Sequence, residues 1–217
     1  MCAFWQNSGQ YLPILMEGVA ITVTLTLAAL VISTALGLVW ALMRYSGIWP
    51  LVLISKTVVN TVRGIPILVQ LFYIYFVLPE FGIDLSAFQA GAIGLGIAYS
   101  SYMAENFRAG LEAIDKGQIE AAHSIGMKWS LMMRRVVLPQ ALRTVLPPYG
   151  NTMIMLLKDT SQASVITVAE LTMKGKLVAS ATFDNMTVYT LVALLYLALS
   201  VPLIVLASYL ERRFGTR

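Results

Sequence analysis

Cysteine and histidine each occur once in this chain, and charge is scarce throughout it. With Cys2 alone, an internal disulfide is excluded. No lipid-attachment pattern surrounds it, so it reads as an incidental terminal residue. No pair of carboxylates stands at metal-ligand spacing from His123, which has Glu120 one helical turn away. No Ser–His or Cys–His arrangement has supporting context. The phosphate-binding pattern G-x-x-x-x-G-K-[ST] is also missing. If the protein drives an uphill process, another chain supplies the energy. The opening residues MCAFWQNSGQ have neither a basic leader nor a small-residue cleavage pattern, so the first apolar run is expected to be an uncleaved anchor. Charged residues make up 12% of the sequence and hydrophobic residues 58%. The net charge of +4 is spread along the chain rather than gathered on one aromatic-studded face, so it does not imply nucleic acid.

What is abundant is apolar length. Mean hydropathy is +0.76, beyond an ordinary soluble domain. Runs of about 20 apolar residues are membrane spans by length alone. Gly18 to Met43 and Met186 to Leu210 are both uncharged. Between them lie three less tidy runs. Residues 51–79 begin with Lys56, Asn60 and Arg63 on one helical face, then run uncharged from Gly64 to Pro79. This predicts a span whose first turns protrude on one side. Residues 86–107 contain GAIGLGIAYSSY, whose small residues suit close helix contacts in lipid. Residues 141–157 are interrupted by Arg143, Pro147, Pro148 and Asn151. Their uncharged part, about 21 Å of helix, is too short to cross a core of roughly 30 Å. The expectation is a broken helix followed by a re-entrant segment to about residue 175. A new helix is expected at Thr167, which stands at capping-box spacing from Glu170.

These runs predict a single all-α integral membrane domain over 1–217 with five spans, so the termini lie on opposite sides. Twelve of the fifteen Lys and Arg residues fall on one side: Arg44, Lys56, Arg63, Arg108, Lys116, Lys128, Arg134, Arg135, Arg143, Arg212, Arg213 and Arg217. Lys158, Lys174 and Lys176 fall on the other. The positive-inside rule then puts the N-terminus outside, the C-terminus in the cytoplasm and residues 108–140 in a cytoplasmic loop.

Within that loop, EAAHSIGMKWSLMMRRVVLPQ carries Glu120, Lys128, Arg134 and Arg135. Each Arg or Lys at a span centre costs about 2.5–3.5 kcal/mol, against about 0.3–0.6 returned by a Leu or Val. The segment therefore stays in water or at the interface. It reads as a short amphipathic helix, a turn at Gly126 and a basic second helix, with Pro139 ending regular structure before the next span. Ala122, Ile125 and Trp129 are expected on one face, and Ala121, Ile125 and Lys128 on another. The residues alone leave two readings open, an interfacial helix lying on anionic lipid and a docking site for a soluble partner.

Glu120-Ala121-Ala122, three residues, Gly126, nine residues, then Val136-Val137-Leu138-Pro139 resembles the EAA loop of ABC importer permeases, EAA-x3-G-x9-I-x-LP, with Val136 in place of Ile. Val62-Arg63-Gly64-Ile65-Pro66 with Gln70, Tyr102-Met-Ala-Glu105-Asn-Phe-Arg108-Ala-Gly110, Lys116-Gly117-Gln118 and Lys158-Asp159-Thr160-Ser161 are similar to stretches of the polar amino acid uptake subfamily. The resemblance covers roughly residues 15–213. It implies the type I ABC importer permease fold in a bacterial inner membrane, and a non-catalytic subunit paired with an identical or homologous permease. Two separate ATPase subunits, which hold the ATP and magnesium, would dock beneath. An extracytoplasmic binding protein would deliver an amino acid from above. The coupling residues it implies are Glu120, Ala121, Ala122, His123, Gly126, Met127, Leu138 and Pro139. His123 is equally readable as an ordinary polar surface residue.

The pathway is read from interrupted backbone and from ionisable groups in spans. These point to Asn151, Met155, Lys158, Asp159, Thr160 and Ser161, with Asn151, Met155 and Lys158 on one face, and to Glu105. Gln70 and Tyr99 join them as wall residues. The competing roles are a pairing of Glu105 with Arg108 and a helix cap at Asp159. Acidic groups near the path favour arginine, lysine or histidine as substrate, with glutamine and other polar solutes as alternatives. A stand-alone channel or scaffold is the rival from another class.

Overall fold

The computed structural model describes residues 2–214, which form helices joined by short turns. Arg217, counted above among the basic residues of one side, lies outside them. Helix α1 spans Cys2–Tyr45 and ends with Arg44 in its last turn. The last helix, α9, spans Asn185–Phe214 and ends with Arg212 and Arg213. A cation in the final turn suits the negative end of a helix. Both helices are long and apolar enough to cross a membrane. Within α1, the hydroxyls of Thr24, Thr26 and Ser33 donate to carbonyls of the preceding turn, so they carry no unpaired donor into apolar surroundings.

Residues 51–79 do not make one straight helix. Helix α2 (Trp49–Gly64) meets α3 (Ile67–Phe72) at a bend of 100°, and a π turn and a 3₁₀ turn carry α3 on to Phe81. Proline disfavours helical backbone in the residue before it, and Ile65 is accordingly extended at φ −104°, ψ 128°. Taken together, the bent pair is apolar enough to be a third crossing or a re-entrant loop.

Helix α4 (Ala87–Glu112) begins with a complete Ser86–Gln89 capping box and packs against α1, α2, α3 and α7. Its small residues allow this. A Cβ added at Gly37 of α1 would lie 2.5 Å from Met103 Cβ and 3.0 Å from the Ala104 nitrogen and the Ser100 oxygen. At the other end, a Cβ at Gly110 would lie 2.3 Å from Val145 Cγ2.

Helix α5 spans Lys116–Ser124, and α6 spans Trp129–Met132. A π turn over Met133–Val137 joins α6 directly to α7, Leu138–Asp159. Pro139 therefore does not stop regular structure. It sits in the first turn of α7, where a missing N–H is tolerated, just after a wider turn that relaxes the usual hydrogen-bond pattern. The expected break at Pro147 and Pro148 is also absent, since both lie inside α7. Gly150 brings α7 against Ala207 of α9, and Gly110 brings α4 against Val145. Such neighbours hold a proline-bearing helix together where water would otherwise compete for its freed carbonyls.

After Asp159 the chain turns through a 3₁₀ segment, Thr160–Ile166, and then forms α8, Leu171–Thr182. The new helix starts four residues later than expected. Thr167 is left-handed at φ 66°, and Glu170 is itself the cap, accepting from the backbone N–H of Thr172 and Met173 at 2.8 Å each. The core has a centre where α4 meets α1, α3 and α7, a second cluster joining α8 to α1 and α9, and a third under the α5–α6 segment.

Candidate functional site

Asp115 caps α5 by accepting from the Gly117 N–H at 2.7 Å. The other end closes by two backbone bonds, Gly126 N–H to the His123 carbonyl at 2.9 Å and Met127 N–H to the Ala122 carbonyl at 3.0 Å. This is a Schellman closure, which needs a left-handed residue after the helix. Gly126 supplies it at φ 75°. The side chain of Met127 then folds under the helix with Ala122, onto Leu111, Ile114, Met132, Met133, Val137 and Ala141.

The closure decides what α5 shows to its surroundings. Ala122 is buried, whereas Glu120, Ala121, His123 and Gly126 are exposed. Ile125 is 74% exposed and Trp129 62%. The expected shared face of Ala122, Ile125 and Trp129 does not exist, because the helix ends at Ser124 and the turn reverses the chain. For the same reason Lys128 is not on a helical face with Ala121. Leu138 and Pro139 are exposed at the start of α7. The two large apolar side chains, Ile125 and Trp129, are the part of this surface that the EAA spacing leaves out. The sequence signal for them is two bulky apolar residues flanking a glycine turn in an otherwise polar segment.

The second group of candidates lies along α4 and α7. Tyr99 is buried, and its hydroxyl donates to Asp159 Oδ2 at 2.7 Å. Its ring lies 5.6 Å from that of Tyr102, which in turn receives the Arg63 guanidinium at 5.6 Å. Asn151, Met155 and Lys158 are all exposed, along the shared face expected from their spacing. Thr160 and Ser161 return their hydroxyls to the Leu157 and Lys158 carbonyls at 2.7 Å, which is how a helix ending in a 3₁₀ turn satisfies them. Asp159 makes no side-chain cap; its partner is Tyr99.

Two candidates stand apart. Glu105 accepts from Arg108 Nη2 at 2.8 Å and is also bound by Arg44, so the pairing with Arg108 holds and a second arginine joins it. Six residues separate Glu105 from Tyr99, about 9 Å along the helix. Gln70 donates to the Val62 and Ile65 carbonyls at 2.8 Å each, tying up the carbonyls that the α2–α3 break sets free. It also borders a cavity of about 230 Å³ with Ile65, Val69, Tyr73 and Ile74. Sequence reasoning placed Glu170 in a capping box and missed its burial. It is wholly buried and receives a third bond, from the Tyr196 hydroxyl at 2.7 Å. Among the described residues no group of His, Cys, Asp and Glu could hold a metal ion.

A family model for the binding-protein-dependent transport system inner membrane component matches residues 33–216. The chain belongs to this family. A probable glutamine ABC transporter permease, GlnM of Bacillus subtilis (strain 168), is 40% identical to the permease over 91% of this chain and 92% of its own length. The L-cystine transport system permease protein TcyB of the same organism is 37% identical over 93% and 86%. A crystal structure of an amino acid ABC transporter with histidines superposes with a TM-score of 0.89, at 39% identity, covering 96% of this permease and 97% of that chain. The permease is thus an inner-membrane subunit of an amino acid ABC importer.

Proposed function

We propose that α5 and the turn at Gly126 dock onto a separate ATPase subunit, and that the seam between α4 and α7 carries a polar amino acid. The observation that carries the first part is the exposed surface of Glu120, Ile125 and Trp129 around a Schellman turn whose underside is packed onto the permease. A solvated lobe with two unburied large apolar side chains suits a protein groove better than water. In this reading the chain crosses the membrane five times, through α1, the α2–α3 pair, α4, α7 and α9. The N-terminus is outside and the C-terminus cytoplasmic. It pairs with an identical or homologous permease, and an extracytoplasmic binding protein supplies the substrate. ATP-driven closure of the ATPases pushes the docked lobes together and switches the spans between two rigid-body states.

For the substrate, Glu105 is neutralised by two arginines and no longer argues for a cationic amino acid. Asp159 keeps Oδ1 outside its bond with Tyr99, which leaves an acceptor for the ammonium of an amino acid. We therefore read the substrate as a polar amino acid, basic or neutral, with arginine, lysine, histidine and glutamine as the set to compare. Competition of these against each other for uptake by reconstituted transporter ranks them. Gly126→Asp or Glu120→Lys is expected to leave basal ATP hydrolysis intact while cutting uptake per ATP at least about tenfold, a loss of roughly 1.4 kcal/mol in coupling. Normal uptake with normal ATPase assembly in both variants would make the docking assignment wrong.

A further inference from the structure

A cavity of about 320 Å³ opens between α1, α2 and α4, lined by Arg44, Val52, Lys56, Arg108 and Glu112. Three cations and, with Glu105 just inside, two carboxylates meet here. Arg108 is held by both carboxylates. Its Nε and Nη2 donate to Glu105 at 2.9 and 2.8 Å, and its Nη1 donates to Glu112. Arg44 gives Nη1 to Glu105, but its Nε is buried and has no partner among the described residues. Lys56 enters none of the ion pairs among those residues. The Arg44 Nε is closed off from the cavity, but the Arg44 Nη2, which is accessible and makes no hydrogen bond among the described residues, and the Lys56 ammonium are left without acceptors beside a cavity of net positive charge. The fitting complement is an anionic oxygen that can accept from a guanidinium and an ammonium together, as phosphate does.

The level of the cavity narrows the source. Arg44 is the first charge after the uncharged run of α1. On α2, Trp49 is 73% exposed and shares a face with Val52 and Lys56 at spacings of three and four. An exposed indole and cations at the end of a long apolar helix mark the headgroup layer of a bilayer. We propose that this cavity binds a phosphate-bearing anion, with the headgroup phosphate of an anionic phospholipid as the source its position favours. The proposal uses none of the residues assigned to ATPase docking, so the two stand or fall separately.

The test titrates the delipidated full-length chain in detergent with phosphatidylglycerol, phosphatidylcholine and inorganic phosphate, followed by native mass spectrometry. Phosphatidylglycerol is expected to bind about fivefold tighter than phosphatidylcholine, and Lys56→Gln to abolish that preference, as about 1 kcal/mol per cation near an anionic surface implies. Inorganic phosphate that binds and competes with phosphatidylglycerol would keep the site and give it a water-borne ligand. Equal binding of both lipids with no binding of phosphate overturns the proposal, as does a preference that survives Lys56→Gln. Should Lys56→Gln not yield folded protein, Glu112→Gln decides. Removing that carboxylate from the rim strengthens phosphatidylglycerol binding if the site is real, a gain that misfolding cannot imitate, and unchanged binding overturns it.

Discussion

Glu170 brings a carboxylate into a wholly buried position with no cation beside it, held by two backbone N–H groups and the Tyr196 hydroxyl. Replacing it by alanine would strand two backbone donors and leave the Tyr196 hydroxyl with Thr172 as its remaining partner. Glu170→Ala is expected to destabilise the fold by about 2–4 kcal/mol, a lost cap plus buried unmade bonds. Glu170→Gln, which keeps an acceptor oxygen, should lose about half as much. Thermal melting in detergent measures both. At this scale the sequence was readable where partners are close along the chain. Glu105 with Arg108 follows from a spacing of three, whereas Arg44 reaches the same carboxylate from 61 residues away and leaves no local trace. The burial of Glu170 was hidden in the same way, because Tyr196 reaches it from a distant helix and Thr22 accepts from the N–H of the next residue, Leu171.

The meeting of α1 and α4 depends on Gly37, where an added Cβ would strike the Met103 Cβ, which is fixed to the backbone and cannot swing aside, and crowd two backbone atoms at 3.0 Å. Gly37→Ala is expected to destabilise by about 1–3 kcal/mol, the range for overpacking. Gly64→Ala, with open space around it, serves as the near-neutral control. Melting temperatures of the two variants side by side check this. The small residues of 86–107 made that packing legible beforehand. The prolines misled in one direction only. Pro66 does bend the chain, by 100°, but Pro139, Pro147 and Pro148 do not end their helix. Proline breaks a helix when water takes the freed carbonyl. Pro139 escapes by standing in the first turn of α7, Pro147 and Pro148 by lying in a helix packed against others where water does not compete, and the sequence does not say which helices will be packed.

For the molecule as a whole, the single cysteine provides a direct test of orientation. In a Cys2→Ser background, Phe183→Cys and Ile125→Cys place thiols at positions where the native side chains are 86% and 74% exposed. The proposed topology has Phe183→Cys labelled by an impermeant maleimide on intact cells, and Ile125→Cys labelled only after the membrane is opened. Labelling of both without permeabilisation, or in the reverse order, rejects it. The two uncharged runs made α1 and α9 evident from composition. The middle helices were harder, because their apolar runs are interrupted by Arg143 and Asn151, both exposed on α7, and by glycines that only packing against neighbouring helices explains.

The run from α6 through α7 has one more consequence. From Trp129 to Asp159 the chain is helical without a gap, about 45 Å at 1.5 Å per residue. It is in effect a lever. Its short arm lies in the exposed lobe and its long arm ends at the Tyr99–Asp159 bond. A tilt of about 3° at the π turn would shift the far end, about 36 Å away, by about 2 Å, enough to break a hydrogen bond of 2.7 Å. The π turn over Met133–Val137 is then the point of compliance. Stiffening or loosening it would change how much of a push at Trp129 arrives at Asp159, without altering either end.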